Sequence, residues 1–436
     1  MRRQRGPVEL PPAVPAISMR KASLGTIFFT VFLDLLGFGL VVPYLSEVAR
    51  EQQASVFVAM LLAAAYSLMQ LLFVPFWGHL SDRVGRRPLL VWSIAASAIG
   101  MLLLGFASSL WMLFLARIWS GIATSNIAVA QAYIADVTSH EDRSRGMGLI
   151  GASIGLGFIF GPVIGGLLEA YSPLARVGAL PAFAAAGLST LNLILALAFL
   201  PESLAKEERG KHVRSPNPFA MERFRTALRF AGVGRAMVVN FVVILSFSGL
   251  EQTFRLFTID AFRMSIRETG YVLGFVGIIL VVVQGVLMRR IARVASERTL
   301  IRTGVLIEAA GFLCIALSPS FGRLAVGALY AGMGVVAFGS ALTAPSLSAF
   351  VSKCSDGQHQ GVVLGVLQSA GAFARVFGPP IAGQIYDKLG YRGPYAAAAI
   401  GMLIAGAVSL RLGGPGTAPG GGPMLTARED DGRRPI

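Results

Sequence analysis

Apolar residues in this chain come in long runs rather than in the alternating or three-and-four spacing of a soluble core. The runs fall at about 24–45, 55–77, 88–107, 109–135, 147–168, 179–200, 236–258, 270–288, 300–318, 324–350, 361–386 and 393–412. Each approaches or exceeds the roughly 20 residues that a helix needs to cross about 30 Å of hydrocarbon. The pattern predicts an all-α membrane protein of twelve transmembrane helices, since a spanning segment must satisfy its own backbone hydrogen bonds. Connections are short except at 201–235, which divides the runs six and six. The expected organisation is a tail at 1–23, a six-helix bundle at 24–200, a linker at 201–235, a second bundle at 236–412 and a tail at 413–436. The last tail carries Gly-Gly-Pro-Gly and Gly-Gly-Gly-Pro without apolar periodicity and is expected to be disordered.

Basic residues orient the helices. With the first connection facing outward, cytoplasmic segments hold 28 Lys and Arg, and outward loops hold seven: Arg50, Arg176, Arg263, Arg267, Arg323, Lys388 and Arg392. That bias predicts both termini in the cytoplasm. Arg2, Arg3, Arg5, Arg20 and Lys21 precede a first run that contains Asp34, which argues against a cleaved signal peptide. Charged residues make up only 14% of the chain and hydrophobic ones 54%, which excludes an ordinary soluble enzyme. The formal charge of +15 sits between apolar runs and reads as a topology signal, so no nucleic-acid partner is expected. Cys314 and Cys354 have no metal-ligand spacing, and no metal or cofactor is expected.

An internal repeat appears when the chain is slid by 217 residues, which lays Gly148, Gly161, Pro162 and Gly166 on Gly365, Gly378, Pro379 and Gly383. Two parallel six-helix repeats around a central cavity are a transporter plan. In the linker, Phe219, Phe224 and Leu228 alternate with Arg223, Arg225 and Arg229. A basic amphipathic helix on the anionic inner leaflet and a merely solvated linker both fit this pattern.

Charges inside the runs carry the chemistry, because a charge at the bilayer centre costs about 3 kcal/mol or more and needs water, a partner or a proton. Asp34 lies ten residues past Leu24, about 15 Å along the first helix. A carboxyl at that depth can take up and release protons near neutral pH. Arg117 lies within reach of the same depth; its approach would favour proton release from Asp34, and its withdrawal proton uptake. Glu251 and Arg375 stand about 14 residues from the inner ends of helices seven and eleven, and are read as a second pair. An ordinary i,i+4 pair of Glu251 with Arg255 competes with that reading. Glu308, nearer the inner end of helix nine, is expected to snorkel inward. All four histidines, His79, His140, His212 and His359, fall in expected cytoplasmic segments, so the proton sites should be carboxylates.

Between helices two and three stands Gly78-His79-Leu80-Ser81-Asp82-Arg83-Val84-Gly85-Arg86-Arg87-Pro88, expected as a tight turn at the inner face. Asp82 can accept bonds from an exposed helix N-terminus, and Arg86 or Arg87 can reach Asp136 at the end of helix four. In helix five, Gly151, Gly155, Gly161, Pro162, Gly165 and Gly166 leave room for neighbouring helices, and Pro162 can bend the segment into a seal or a pivot. Candidate cavity residues are Phe28, Phe32, Phe247 and Phe254 for an apolar wall and Asn126, Gln131, Gln284 and Gln368 for hydrogen bonding.

The loop string matches the G-x-L-x-D-R-x-G-R-R signature of the major facilitator superfamily. Asp34-Leu35-Leu36-Gly37-Phe38-Gly39-Leu40-Val41-Val42-Pro43 resembles the first-helix motif of its drug:proton antiporter branch, which includes the tetracycline exporters. Arg117-Ile118-Trp119-Ser120-Gly121 and Tyr133-Ile134-Ala135-Asp136 resemble the fourth helix of that branch. Residues Gly151 to Gly157, Gly161-Pro162 and Gly165-Gly166 resemble its fifth-helix signature. In the second half, Ser248-Gly249-Leu250-Glu251-Gln252-Thr253-Phe254 and Arg375-Val376-Phe377-Gly378-Pro379 look like vertebrate tetracycline-transporter-like members, and Arg289-Arg290-Ile291-Ala292-Arg293 repeats the loop position without its acid.

The resemblance implies a monomeric twelve-helix carrier in the inner membrane that expels small amphipathic drugs in exchange for protons and confers antibiotic resistance. No G-x-x-x-x-G-K-[ST] loop is present to hold ATP phosphates, so an ion gradient is the expected energy source. A proton-coupled uptake symporter uses the same parts in the other direction. A non-transporting receptor would need no acids within the membrane.

Overall fold

The computed structural model describes residues 16–124, 127–138, 143–174, 176–205, 207, 209–210, 221–355 and 359–412. Each apolar run lies in a helical stretch, and among the described residues there is no strand. The helices are α1 (Ala16–Val41), α2 (Leu45–Glu51), α3 (Val56–Val84), α4 (Arg86–Phe106), α5 (Leu110–Ala123), α6 (Ile127–Val137), α7 (Arg143–Ala170) and α8 (Ala179–Phe199). They continue as α9 (Met221–Leu228), α10 (Val233–Phe262), α11 (Ile266–Val282), α12 (Met288–Val294), α13 (Glu297–Leu317), α14 (Ala325–Cys354), α15 (Gln360–Leu389) and α16 (Gly393–Leu410). Among the described residues, eleven helical stretches are long and apolar enough to cross a membrane. The fifth run forms α7, whose Gly155–Ala170 part is apolar but shorter than these. The fourth run lies in α5 and α6, on either side of 125–126, which are outside the described residues.

Two compact units are present. The first takes the described residues within Met1–Gln52, Leu68–Asn217 and Ile266–Gly274, and the second those within Gln53–Ser67, Pro218–Ser265 and Phe275–Ile436. In the first unit α1 packs on α7 and α8, and α4 on α5 and α8. Its core gathers Ile27, Val31, Trp77, Leu90, Ile94, Tyr133 and Ile134.

The α1–α7 contact shows why small residues recur there. A Cβ built on Gly161 would lie 2.6 Å from the Gly39 Cα, and one on Gly39 would lie 2.8 Å from the Gly157 carbonyl. The two backbones meet with no side chain between them, so dispersion and close approach replace the hydrophobic drive that lipid does not supply. Tyr44 closes this seam by donating its hydroxyl to the Pro162 carbonyl at 2.9 Å.

In the second unit α13 packs on α14 and α16, and α10 on α15 and α16. The repeat is visible in its packing: a Cβ on Gly378, 217 residues after Gly161, would lie 2.6 Å from the Leu245 carbonyl of α10. The Asp387 carboxylate accepts the Val56 and Phe57 amides of the first turn of α3, at 3.1 and 2.9 Å. These two amides would otherwise be orphans of a helix start.

The expected linker helix is α9. Ala227 is fully buried and Leu228 is 55% exposed; the helix rests on α15 and α10. Phe219 and the tail after Leu412 lie outside the described residues.

Candidate functional site

On α1, Asp34 is partly buried and accepts a hydrogen bond from the Ser97 hydroxyl of α4 at 3.3 Å. One turn further along, the Phe38 ring lies 5.8 Å under the Arg117 guanidinium of α5, which is 2% exposed. The ring's negative face attracts the cation, so a strong charge is held close to the α1 face that bears the carboxyl. Polar side chains also secure the α1 backbone nearby: Asn192 donates to the Thr30 carbonyl at 2.9 Å and Ser153 to that of Phe28 at 3.2 Å. Phe28 and Phe32, one turn apart, stack with centroids 6.2 Å apart.

In the second unit, Glu251 stands 217 residues after Asp34, in the same repeat register. It is partly buried on α10, and Arg375 of α15 lies in electrostatic reach of both Glu251 and Tyr66. Arg375 is exposed, between buried Ala374 and Val376. Arg255, the i,i+4 candidate, is 4% exposed, and its guanidinium donates to the Met264 carbonyl at 2.9 Å, just past the end of its own helix.

The inner loop is built around Arg86. Its guanidinium lies 2.6 Å from Asp82 and 3.2 Å from Asp136 and also donates to Ser81. Of the two arginines proposed for Asp136, Arg86 makes the contact, while Arg87 donates to the Leu197 carbonyl at 2.8 Å. Arg83 is exposed. The tight turn is shorter than expected: Gly78 lies inside α3, and the chain reverses at Gly85 alone, at φ 117 and ψ 158. That φ is reserved for glycine. Asp82 was also the expected acceptor for the helix N-terminus, but the Arg86 amide bonds instead to Glu202, at 2.9 Å.

Helix five places its small residues as described above: Gly165 and Gly166 face Leu40 and Tyr44, while nothing lies within 4 Å of a Cβ on Gly155. Gly151 lies in α7, with its surroundings outside the described residues, as is Asn126. Of the cavity candidates, Phe254 is only 1% exposed and forms core instead of wall. Phe247 and Gln131 are half-buried, and Gln284 and Gln368 are exposed.

Glu308 overturns its expectation. It does not snorkel: the residue is 0% exposed. Its carboxyl sits where α13 meets α14, near Thr343 and Ser340, and neither oxygen makes a hydrogen bond among the described residues. Gly339 makes room for it, since a Cβ there would lie 2.6 Å from the Glu308 Cγ. The signal in the sequence was an acid within an apolar helix; what it lacked was the direction of the side chain.

Comparison with known proteins gives these parts a context. The profile described as Major Facilitator Superfamily matches residues 27–333 and 293–423. The class C tetracycline resistance protein of Escherichia coli is 35% identical over 84% of this chain and 89% of its own. Major facilitator superfamily domain-containing protein 10 of Mus musculus is 27% identical over 86% of this chain and 90% of its own. Among solved structures, the human organic anion transporter MFSD10 (TETRAN) superposes with a TM-score of 0.67 at 25% identity, covering 89% of this chain and 99% of that one. The nucleoside transporter NupG superposes with a TM-score of 0.74 at 11% identity, over 89% of this chain and 99% of its own, a likeness of fold.

Proposed function

We infer that this chain, which belongs to the Major Facilitator Superfamily, exports small amphipathic compounds across the inner membrane in exchange for protons. It is a multi-pass membrane transport protein and not an enzyme. In the proposed arrangement α7 completes twelve spans, both termini are cytoplasmic, and the repeats at 24–200 and 236–412 provide alternating access as a monomer.

The observation that carries this reading is Asp34, an acid on a spanning helix that accepts a hydrogen bond from Ser97 one turn from Phe38, the ring under the Arg117 guanidinium. An acid with a neutral donor and a cation on the same helix face changes its proton affinity when either moves. Glu251, with Arg375, supplies a second such group in the repeat, and Glu308 a third carboxyl with no ion partner among the described residues. One proton crossing about 100 mV releases about 2.3 kcal/mol, enough to concentrate a neutral solute roughly 50-fold. Reconstituted protein given tetracycline should release protons in step with drug movement, and drug flux without proton movement would refute the reading.

A second reading concerns the substrate's charge. Arg375 is exposed on the spanning helix α15, and a guanidinium there can receive a carboxylate or another acid group on a substrate. The relative MFSD10 is described as an organic anion transporter. Fluorescein flux that falls in Arg375→Gln while tetracycline flux survives would favour organic anions.

A further inference from the structure

The linker does not leave the first unit directly. The described residues between Pro201 and Gly210 bond to the α3–α4 turn at Arg86, Arg87 and Asp82 and to Asp136 at the end of α6. Glu202 Oε1 accepts the Arg86 amide at 2.9 Å and the Arg87 amide at 3.4 Å, together with the Ser203 and Leu204 amides of its own segment at 3.0 and 3.2 Å. Its other oxygen lies 3.4 Å from the Arg209 guanidinium. Ser203 donates its hydroxyl to Asp136 Oδ2 at 3.0 Å, the same oxygen that Arg86 Nε reaches at 3.2 Å. The Gly210 amide donates to the Asp82 carbonyl at 2.9 Å.

We propose that this linker segment is a working part of the inner gate, with Glu202 as the positioning residue that aims Arg86 at Asp82 and Asp136. A carboxylate on the first amides of α4 satisfies orphan donors and complements the positive end of the helix. That contact holds the start of α4 against Gly85, whose left-handed φ of 117 leaves the turn little other support; a Cβ on Gly85 would collide with the Glu202 carboxylate and lie 3.0 Å from the Arg209 Nη2. Finally, Arg86 leaves α4 at the same residue whose amide Glu202 holds, so its guanidinium inherits the position of that first turn. Because Ser203 shares the Asp136 oxygen, a pull on the linker acts on both partners of the gate at once.

This inference rests on the reading of the chain as a transporter, but its first test does not use transport. Hydrogen exchange of the full-length protein in nanodiscs, compared among wild type, Glu202→Gln, Glu202→Ala and Ser203→Ala, reads the amides of 84–90 and 203–210. Loss of a charge-assisted cap predicts about tenfold faster exchange at Arg86 and Arg87 in Glu202→Ala, a smaller rise in Glu202→Gln, and unchanged exchange in α10 to α16. Unchanged exchange at 84–90 in Glu202→Ala overturns the proposal, and so does an increase spread evenly over both units. In proteoliposomes, tetracycline turnover should fall several-fold in Glu202→Ala with KM unchanged, and Glu202→Asp should restore part of it. Wild-type protein that moves no tetracycline would refute the transport reading for that drug and leave the exchange result to decide the role of Glu202. Turnover in Glu202→Ala equal to wild type would overturn the role in gating.

Discussion

Arg86 Nε lies 3.2 Å from the carboxylate of Asp136, a residue 50 positions further along the chain. This contact joins the start of α4 to the end of α6, and it competes at the same guanidinium with Asp82, 2.6 Å away. A cation shared between two acids on different helices can serve as a latch, since moving either helix leaves one acid uncompensated.

Reversing the charge at Asp82 tests that latch. Asp82→Lys should slow drug exchange about tenfold, the size of a typical coupling energy, while leaving drug binding in place. Flux measured beside equilibrium binding separates the two effects; unchanged kinetics would reduce the loop to an orienting role.

Removing the charge at Asp34 bears on coupling. Asp34→Asn keeps the shape and still meets the Ser97 hydroxyl, so the protein should express and bind drug, but its proton-driven flux should fall to background. Drug-driven proton uptake retained in the variant would exclude Asp34 as a carrier.

The α1–α7 seam predicts opposite outcomes for two glycines of one helix. Gly161→Ala places a methyl 2.6 Å from the Gly39 Cα and should destabilise the protein by about 1–3 kcal/mol. Gly155→Ala meets nothing within 4 Å and should leave the melting temperature unchanged. Thermal unfolding in detergent, followed by tryptophan fluorescence, compares the pair.

For Glu308, burial sets the expectation. Glu308→Gln keeps volume and polarity between α13 and α14, and should fold like wild type. Glu308→Lys puts a cation into a site with no described anion partner, at a cost of several kcal/mol, and should not accumulate. Expression and size-exclusion profiles check both variants; a well-folded Glu308→Lys would show that water reaches the site.

The helices were legible from the chain because the demand they meet is local: a run of about 20 apolar residues satisfies the bilayer whatever its neighbours are. The sequence set Asp82 and either Arg86 or Arg87 within reach of Asp136, because opposite charges between apolar runs have few other partners. Which arginine makes the contact depends on the rotation of α4 about its axis, and that is set by its packing on α8 and α5. The same holds for Glu308, where position along the helix suggested the interface with water and the tight approach of α13 to α14 turned the side chain inward. Glu202 was invisible as part of the gate, since 116 residues separate it from Arg86. Sequence alone determined where the chain crosses apolar surroundings and which charges it carries there, because those follow from residue type and spacing. Only the tertiary structure decided which charge meets which, because a hydrogen bond is made over about 3 Å and the direction of a side chain at that scale is fixed by the helices packed around it.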